Sequence, residues 1–95
     1  MIKYSEYLKY VRKQPCAICM QKPVDADHLE TIGMGGNRRK RSPKDLSCIP
    51  LCRKHHTERH QIGNHSFEQK YIVDLWREAF NLLRRFILER ENTIR

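Results

Sequence analysis

Two short chelating pairs constrain this chain more than any other feature: Cys16-Ala17-Ile18-Cys19 and Cys52-Arg53-Lys54-His55. Pairs of this kind, far apart in sequence, can close a tetrahedral zinc site. Zinc favours thiolate and imidazole, and four protein ligands leave no open position for chemistry. The expected role of Cys16, Cys19, Cys52 and His55 is therefore structural, stapling a knuckle to the start of a following helix. Cys48 competes for the fourth place, because Cys48 and Cys52 are also close enough to chelate. His55 is favoured, since Cys48 falls inside a predicted strand, where it reads as a small buried hydrophobe. A staple is needed. A chain of 95 residues buries only ~60–65% of its unfolded surface and usually leans on a metal, a disulfide or a partner.

The rest of the chain divides by periodicity. Tyr4, Tyr7, Leu8 and Val11 recur at helical spacing and predict a helix over 4–14, ended by Gln14-Pro15. Val24 to Leu29 and Leu46 to Leu51 suit short strands. Between them, residues 31–44 form a polar, basic loop with Gly33, Gly35 and Gly36. Residues 52–60 suit a short helix, with His56 and His60 one turn apart on one face. Ser66 and Gln69 form a capping-box pattern, which predicts one uninterrupted helix over 66–91. Its apolar stripe would run through Phe67, Tyr71, Ile72, Leu75, Trp76, Ala79, Phe80, Leu83, Phe86 and Ile87. Phe67 to Glu91 would be roughly 36 Å long. The far end must then pack on the N-terminal helix or on a second copy of the chain.

Net charge is +8, and it is concentrated. Between Arg38 and His60 stand eight basic residues against Asp45 and Glu58. Arg38, Arg39, Lys40, Arg41 and Lys44 are the candidate contacts to a polyanion, and nucleic acid is the commonest one. No apolar run approaches the ~20 residues of a membrane span. The N-terminus shows no apolar signal core, so a cytoplasmic location is expected.

A second set of ligating residues remains. Asp27, His56 and His60 would make an open three-ligand site for a divalent cation, with the remaining coordination free for water and phosphate. His28 is then free to act on a water molecule. Neighbouring strand residues point to opposite faces. Asp27 and His28 can therefore share a site only where the strand ends, bulges or twists.

Taken in order, Cys16-Ala17-Ile18-Cys19, Asp27-His28, Gly35-Gly36 and Leu51-Cys52-Arg53-Lys54-His55-His56 with His60 resemble the HNH endonucleases of the ββα-metal, or His-Me finger, group. The resemblance covers Cys16 to His60 and looks most like small phage and prophage HNH proteins, including relatives of a phage recombination-enhancing nuclease. It implies a ββα-metal core with a zinc knuckle; with the predicted N-terminal helix and long C-terminal helix on either side, the expected architecture is an α+β fold within one domain. It implies Asp27, His56 and His60 as ligands of the catalytic cation (magnesium in the cell, with manganese, nickel or zinc accepted) and His28 as general base. It also implies Cys16, Cys19, Cys52 and His55 as structural zinc ligands. The family's middle asparagine, which braces the loop orienting the base, is replaced here by Ser47.

The activity so implied is metal-dependent hydrolysis of DNA phosphodiesters. The rival is a catalytically inactive, zinc-stabilised module that binds DNA or assists recombination. It would keep the Cys/His site and make no use of the second one. A third reading is a protein–protein adaptor built on the long helix, whose stripe either mediates a homodimer or covers the domain's own core.

Overall fold

The computed structural model describes residues 3–30 and 41–94, with side chains described up to residue 91. Its elements run α1 (Tyr4–Arg12), β1 (Asp25–His28), a 3-10 helix (Pro43–Ser47), β2 (Cys48–Leu51), α2 (Arg53–Ile62), α3 (Asn64–Tyr71) and α4 (Leu75–Ile94). Among the described residues, four α-helices and one antiparallel pair of strands make the fold α+β, as expected. The register pairs Asp25 with Leu51, Asp27 with Ile49 and His28 with Cys48.

α1 buries Tyr7, Leu8 and Val11, the apolar face of its sequence. The chain then turns through the Cys16–Cys19 knuckle, closed by Met20 N–H on the Cys16 carbonyl at 2.9 Å. Met20 takes a positive φ of 65° to do so. Ala17 N–H donates to the Pro50 carbonyl at 2.9 Å, so the knuckle is tied directly to β2. Pro50 lies on an edge of the two-stranded sheet, where its missing N–H costs no ladder bond.

The predicted second strand begins two residues late. Leu46 and Ser47 belong to the 3-10 helix, because Ser42 and Asp45 form a capping box and Pro43 sits at its start. The predicted helix over 66–91 is a larger departure, since it is two helices. α3 starts at Asn64, before the expected Ser66 cap, and stops at Ile72, which adopts left-handed angles (φ 52°, ψ 55°). For a β-branched residue that conformation costs ~1–2 kcal/mol. The compensation is local. Asp74 caps α4 by accepting from Arg77 N–H at 3.1 Å, and the Glu68 carboxylate accepts from Leu75 N–H at 2.8 Å.

The break resets the phase of the apolar stripe. α4 buries Leu75, Ala79, Leu82 and Phe86, while Trp76 and Phe80 are 52% and 64% exposed. Trp76 is therefore not core packing, contrary to expectation. Leu75 and Ala79 join Cys16, Val24, Leu29, Ile49, Leu51 and Phe67 in one apolar cluster. Leu82 and Phe86 join Tyr7, Leu8, Val11 and Cys48 in a second. Phe86 meets Tyr7 edge-on, with ring centroids 5.1 Å apart. α4 thus spans both clusters and fixes α1 against the sheet.

Candidate metal centres

The knuckle, Cys52 at the N-cap of α2 and His55 in its first turn converge. The Sγ atoms of Cys19 and Cys52 are 3.8 Å apart. His55 Nδ1 lies 3.2 Å from Cys52 Sγ and 3.7 Å from Cys16 Sγ. All four ligand atoms fall within 4.8 Å of one another. Tetrahedral zinc with Zn–S bonds of ~2.3 Å sets its sulfurs ~3.8 Å apart, so the donor set fits that ion. The same spacing is far from a disulfide, and all four cysteines are free. Burial opposes ionisation of Cys16, but backbone N–H groups of Cys19, Cys52 and Ile18 outweigh it and lower the thiol to about 6. Cys48 is different. It is fully buried among Tyr7, Leu8 and Val11, and burial, with Asp45 and Asp27, pushes its thiol up to about 12. It is a neutral core residue, and His55 holds the fourth position in the cluster.

The second cluster forms where the inward face of β1 meets α2. Asp27 Oδ1 lies 3.4 Å from His56 Nε2 and 3.4 Å from His60 Nε2. The two Nε2 atoms are 3.1 Å apart. A cation bonded at ~2.1 Å spaces its cis or tetrahedral donors ~3.0–3.4 Å apart, so these three atoms fit one ion. Asp27 is buried and His60 exposed, which leaves the cluster open on one side. Strand alternation places Asp25 on the same face as Asp27. His56 Nδ1–H donates to Asp25 Oδ2 at 2.9 Å. This fixes the tautomer and leaves Nε2 as the ligand atom, the usual outer support of a metal-binding imidazole.

His28 is not drawn into that cluster. It ends β1 with opposite parity to Asp27, and its Nε2–H donates to the buried Asp45 Oδ1 at 2.6 Å. A carboxylate only accepts, so Nδ1 is left with the free lone pair. Asp45 Oδ2 also accepts from Ser42 N–H at 3.3 Å. Ser47 fastens the backbone just beyond His28: its Oγ accepts from Glu30 N–H at 3.0 Å and donates to the Lys44 carbonyl at 2.7 Å. A serine at this position therefore does brace the segment that follows His28.

Arg38, Arg39 and Lys40 lie outside the described residues. Arg41 is exposed and sits 3.8 Å from Asp45. Lys44 is half-buried, and Arg53 and Lys54 are exposed on the first turn of α2. Arg59 does not belong to the surface patch. It is buried, and its Nη2 donates to Asp27 Oδ1 at 2.7 Å while its Nε donates to Oδ2. Asp25, Asp45 and Arg59 were thus missed as site residues. Period-two spacing from Asp27 could have found Asp25, and the Ser42-Pro-Lys-Asp45 cap could have placed Asp45. Nothing short of a partner assignment distinguishes Arg59 from a solvated arginine.

Fold and side chains together define a small α+β protein with, among the described residues, two donor clusters spaced for metal ions. Residues 1–85 match the family described as Protein of unknown function (DUF968), and the chain belongs to that family. It is also similar to the Uncharacterized protein YdfU of Escherichia coli (strain K12), 44% identical over 66 residues that cover 70% of this chain and 18% of that protein. The chain spans less than a fifth of that relative's length. No solved structure matches it. Among the described residues no helix is long and apolar enough to cross a membrane.

Proposed function

We propose that this chain is an HNH-type, metal-dependent endonuclease that hydrolyses phosphodiester bonds in DNA, its core held by zinc at Cys16, Cys19, Cys52 and His55. The carrying observation is the second cluster, in which Asp27 Oδ1, His56 Nε2 and His60 Nε2 stand 3.1–3.4 Å apart at the solvent edge. A divalent cation bound there would neutralise charge developing on the phosphoryl oxygens and on the leaving 3′-oxygen. His28 removes a proton from the attacking water through Nδ1, the nitrogen that Asp45 leaves unprotonated. Asp45 holds that ring, and Ser47 steadies the backbone behind it. Arg41, Lys44, Arg53 and Lys54, with the basic run Arg38, Arg39 and Lys40, neutralise backbone phosphates, giving affinity with strong salt dependence and little sequence discrimination.

The test is nicking of supercoiled plasmid in magnesium or manganese. His28→Ala should lower the rate by ~100-fold or more, the usual share of general-base catalysis, while DNA binding persists. Unchanged cleavage removes His28 from the mechanism.

One observation favours the rival module, a zinc-stabilised DNA-binding or recombination accessory protein. Asp27 is satisfied by Arg59, and His28 by Asp45, without any ion. A protein that retains one zinc and binds no manganese would support that reading. The homodimer reading attaches to the exposed Trp76 and Phe80 of α4. Sedimentation at micromolar concentration tests it, and a monomer refutes it.

A further inference from the structure

The carboxylate of Asp27 is not free to turn. Asp27 and Arg59 are 2% and 7% exposed. The guanidinium grips both carboxylate oxygens, Nη2 on Oδ1 at 2.7 Å and Nε on Oδ2. The same side chain reaches the His28 carbonyl through Nη2 at 3.4 Å and donates from Nη1 to Asn64 Oδ1 at the start of α3. Its Nη2 also lies 3.3 Å from His60 Nε2. Three elements, the end of β1, α2 and α3, are therefore locked around one buried cation. The fork occupies one edge of the carboxylate. Oδ2 takes the Nε arm of the fork, and Oδ1 stays 3.4 Å from both Nε2 atoms.

We propose that Arg59 is a positioning residue for the open cation site: it fixes Asp27 as a single-oxygen ligand through Oδ1 and selects ions that bond imidazole. The inference rests on reading Asp27, His56 and His60 as a metal centre. Its chemistry is direct. Sharing the carboxylate with a guanidinium removes most of the negative charge that a magnesium ion, with its demand for oxygen ligands, would need from the protein. What remains is two imidazoles and one fixed oxygen, a set suited to manganese, cobalt, nickel or zinc. Lysine cannot substitute for the fork, because an ammonium is a point charge without the paired donors that set the carboxylate plane. Removing the cation altogether would leave a buried carboxylate unpaired, so the fold also depends on it.

The experiment is a manganese titration of the zinc-loaded protein, read by the electron paramagnetic resonance of free Mn2+, with magnesium as competitor and bound zinc measured in parallel. Wild type should bind one manganese per chain and hold it against excess magnesium. Arg59→Lys should lose ~10-fold or more in manganese affinity, the usual cost of removing an outer-shell partner, and should keep its zinc. Asn64→Ala, which frees Nη1 and leaves both charges in place, should lose several-fold. If either variant keeps zinc and binds manganese as tightly as wild type, Arg59 does not position Asp27. If Arg59→Lys loses zinc, Asn64→Ala alone decides. Displacement of manganese by equal magnesium overturns the selectivity. A wild type that binds no manganese overturns the metal centre itself and this inference with it.

Discussion

Asp45→Asn separates orientation of His28 from its presence. The wild-type contact is short, 2.6 Å from His28 Nε2 to Asp45 Oδ1, and joins a buried carboxylate to an imidazole whose side chain is 34% exposed. Charge-assisted bonds of this kind contribute ~1.5–3 kcal/mol. An asparagine can still accept from Nε2–H, but without charge, or can turn its amide and donate to Nε2. The second arrangement puts the proton on Nδ1 and abolishes the base. Converted at ~1.4 kcal/mol per factor of ten, loss of the bond predicts a ~10–100-fold drop in the plasmid-nicking rate at saturating DNA. KM should hold, since Asp45 is buried and offers DNA no contact. Asparagine keeps the cap on Ser42 N–H only when its oxygen takes the Oδ2 place and its NH2 turns to His28 Nε2; that orientation limits the stability change to about 1 kcal/mol and is the one that abolishes the base. Residues acting as a unit are non-additive. The double variant His28→Ala/Asp45→Asn should therefore be no slower than His28→Ala. A nicking rate within twofold of wild type for Asp45→Asn would show that Asp45 does not orient the base.

Other expectations follow from the packing and the ligand sets. Cys52→Ser, or zinc removal by a chelator, should abolish cooperative thermal unfolding, because the Cys/His cluster is what joins the knuckle to the first turn of α2; a transition unchanged in midpoint would count against a structural ion. Phe86→Ala empties the contact with Tyr7 and Tyr10 and should cost ~3 kcal/mol in urea unfolding, the low end for buried phenylalanine at a periphery. Cys48 gives a pH test. Its folded pKa of about 12 lies above the unfolded thiol value, so its neutral form contributes stability fully below pH ~9, and that contribution is lost as pH rises towards 12. The stability gap between wild type and Cys48→Ala should therefore narrow by up to ~1.4 kcal/mol per unit above pH 9; a constant gap would show that Cys48 does not titrate in that range.

How legible the molecule was in its sequence depended on the range of the physics involved. Chelating pairs are local, so Cys16/Cys19 and Cys52/His55 could be read from spacing, and so could His56 with His60 on one turn. Helical periodicity is also local, and α1 follows its pattern closely. The same method failed at Ile72-Val73-Asp74. No glycine or proline marks the break there. It is held by Asp74 as a cap and by Glu68 reaching forward to Leu75, and an apolar stripe read straight across it exchanged Leu82 for Phe80. The buried pairings Asp27–Arg59 and His28–Asp45 were illegible for another reason. Charge sign says that a partner is needed, but the partner is chosen by how β1, the 3-10 helix and α2 meet. Arg59 accordingly counted towards a surface patch that it does not join.

The proposed nuclease needs one small scaffold to hold a sealed sulfur-rich ion and an open ion beside it. Anomalous scattering from a crystal of the zinc-loaded protein soaked in manganese, recorded near both absorption edges, measures this directly. The expected map has one zinc peak enclosed by Cys16, Cys19, Cys52 and His55, and one manganese peak in contact with Asp27, His56 and His60. A zinc peak alone, or manganese bound away from those three side chains, would contradict it.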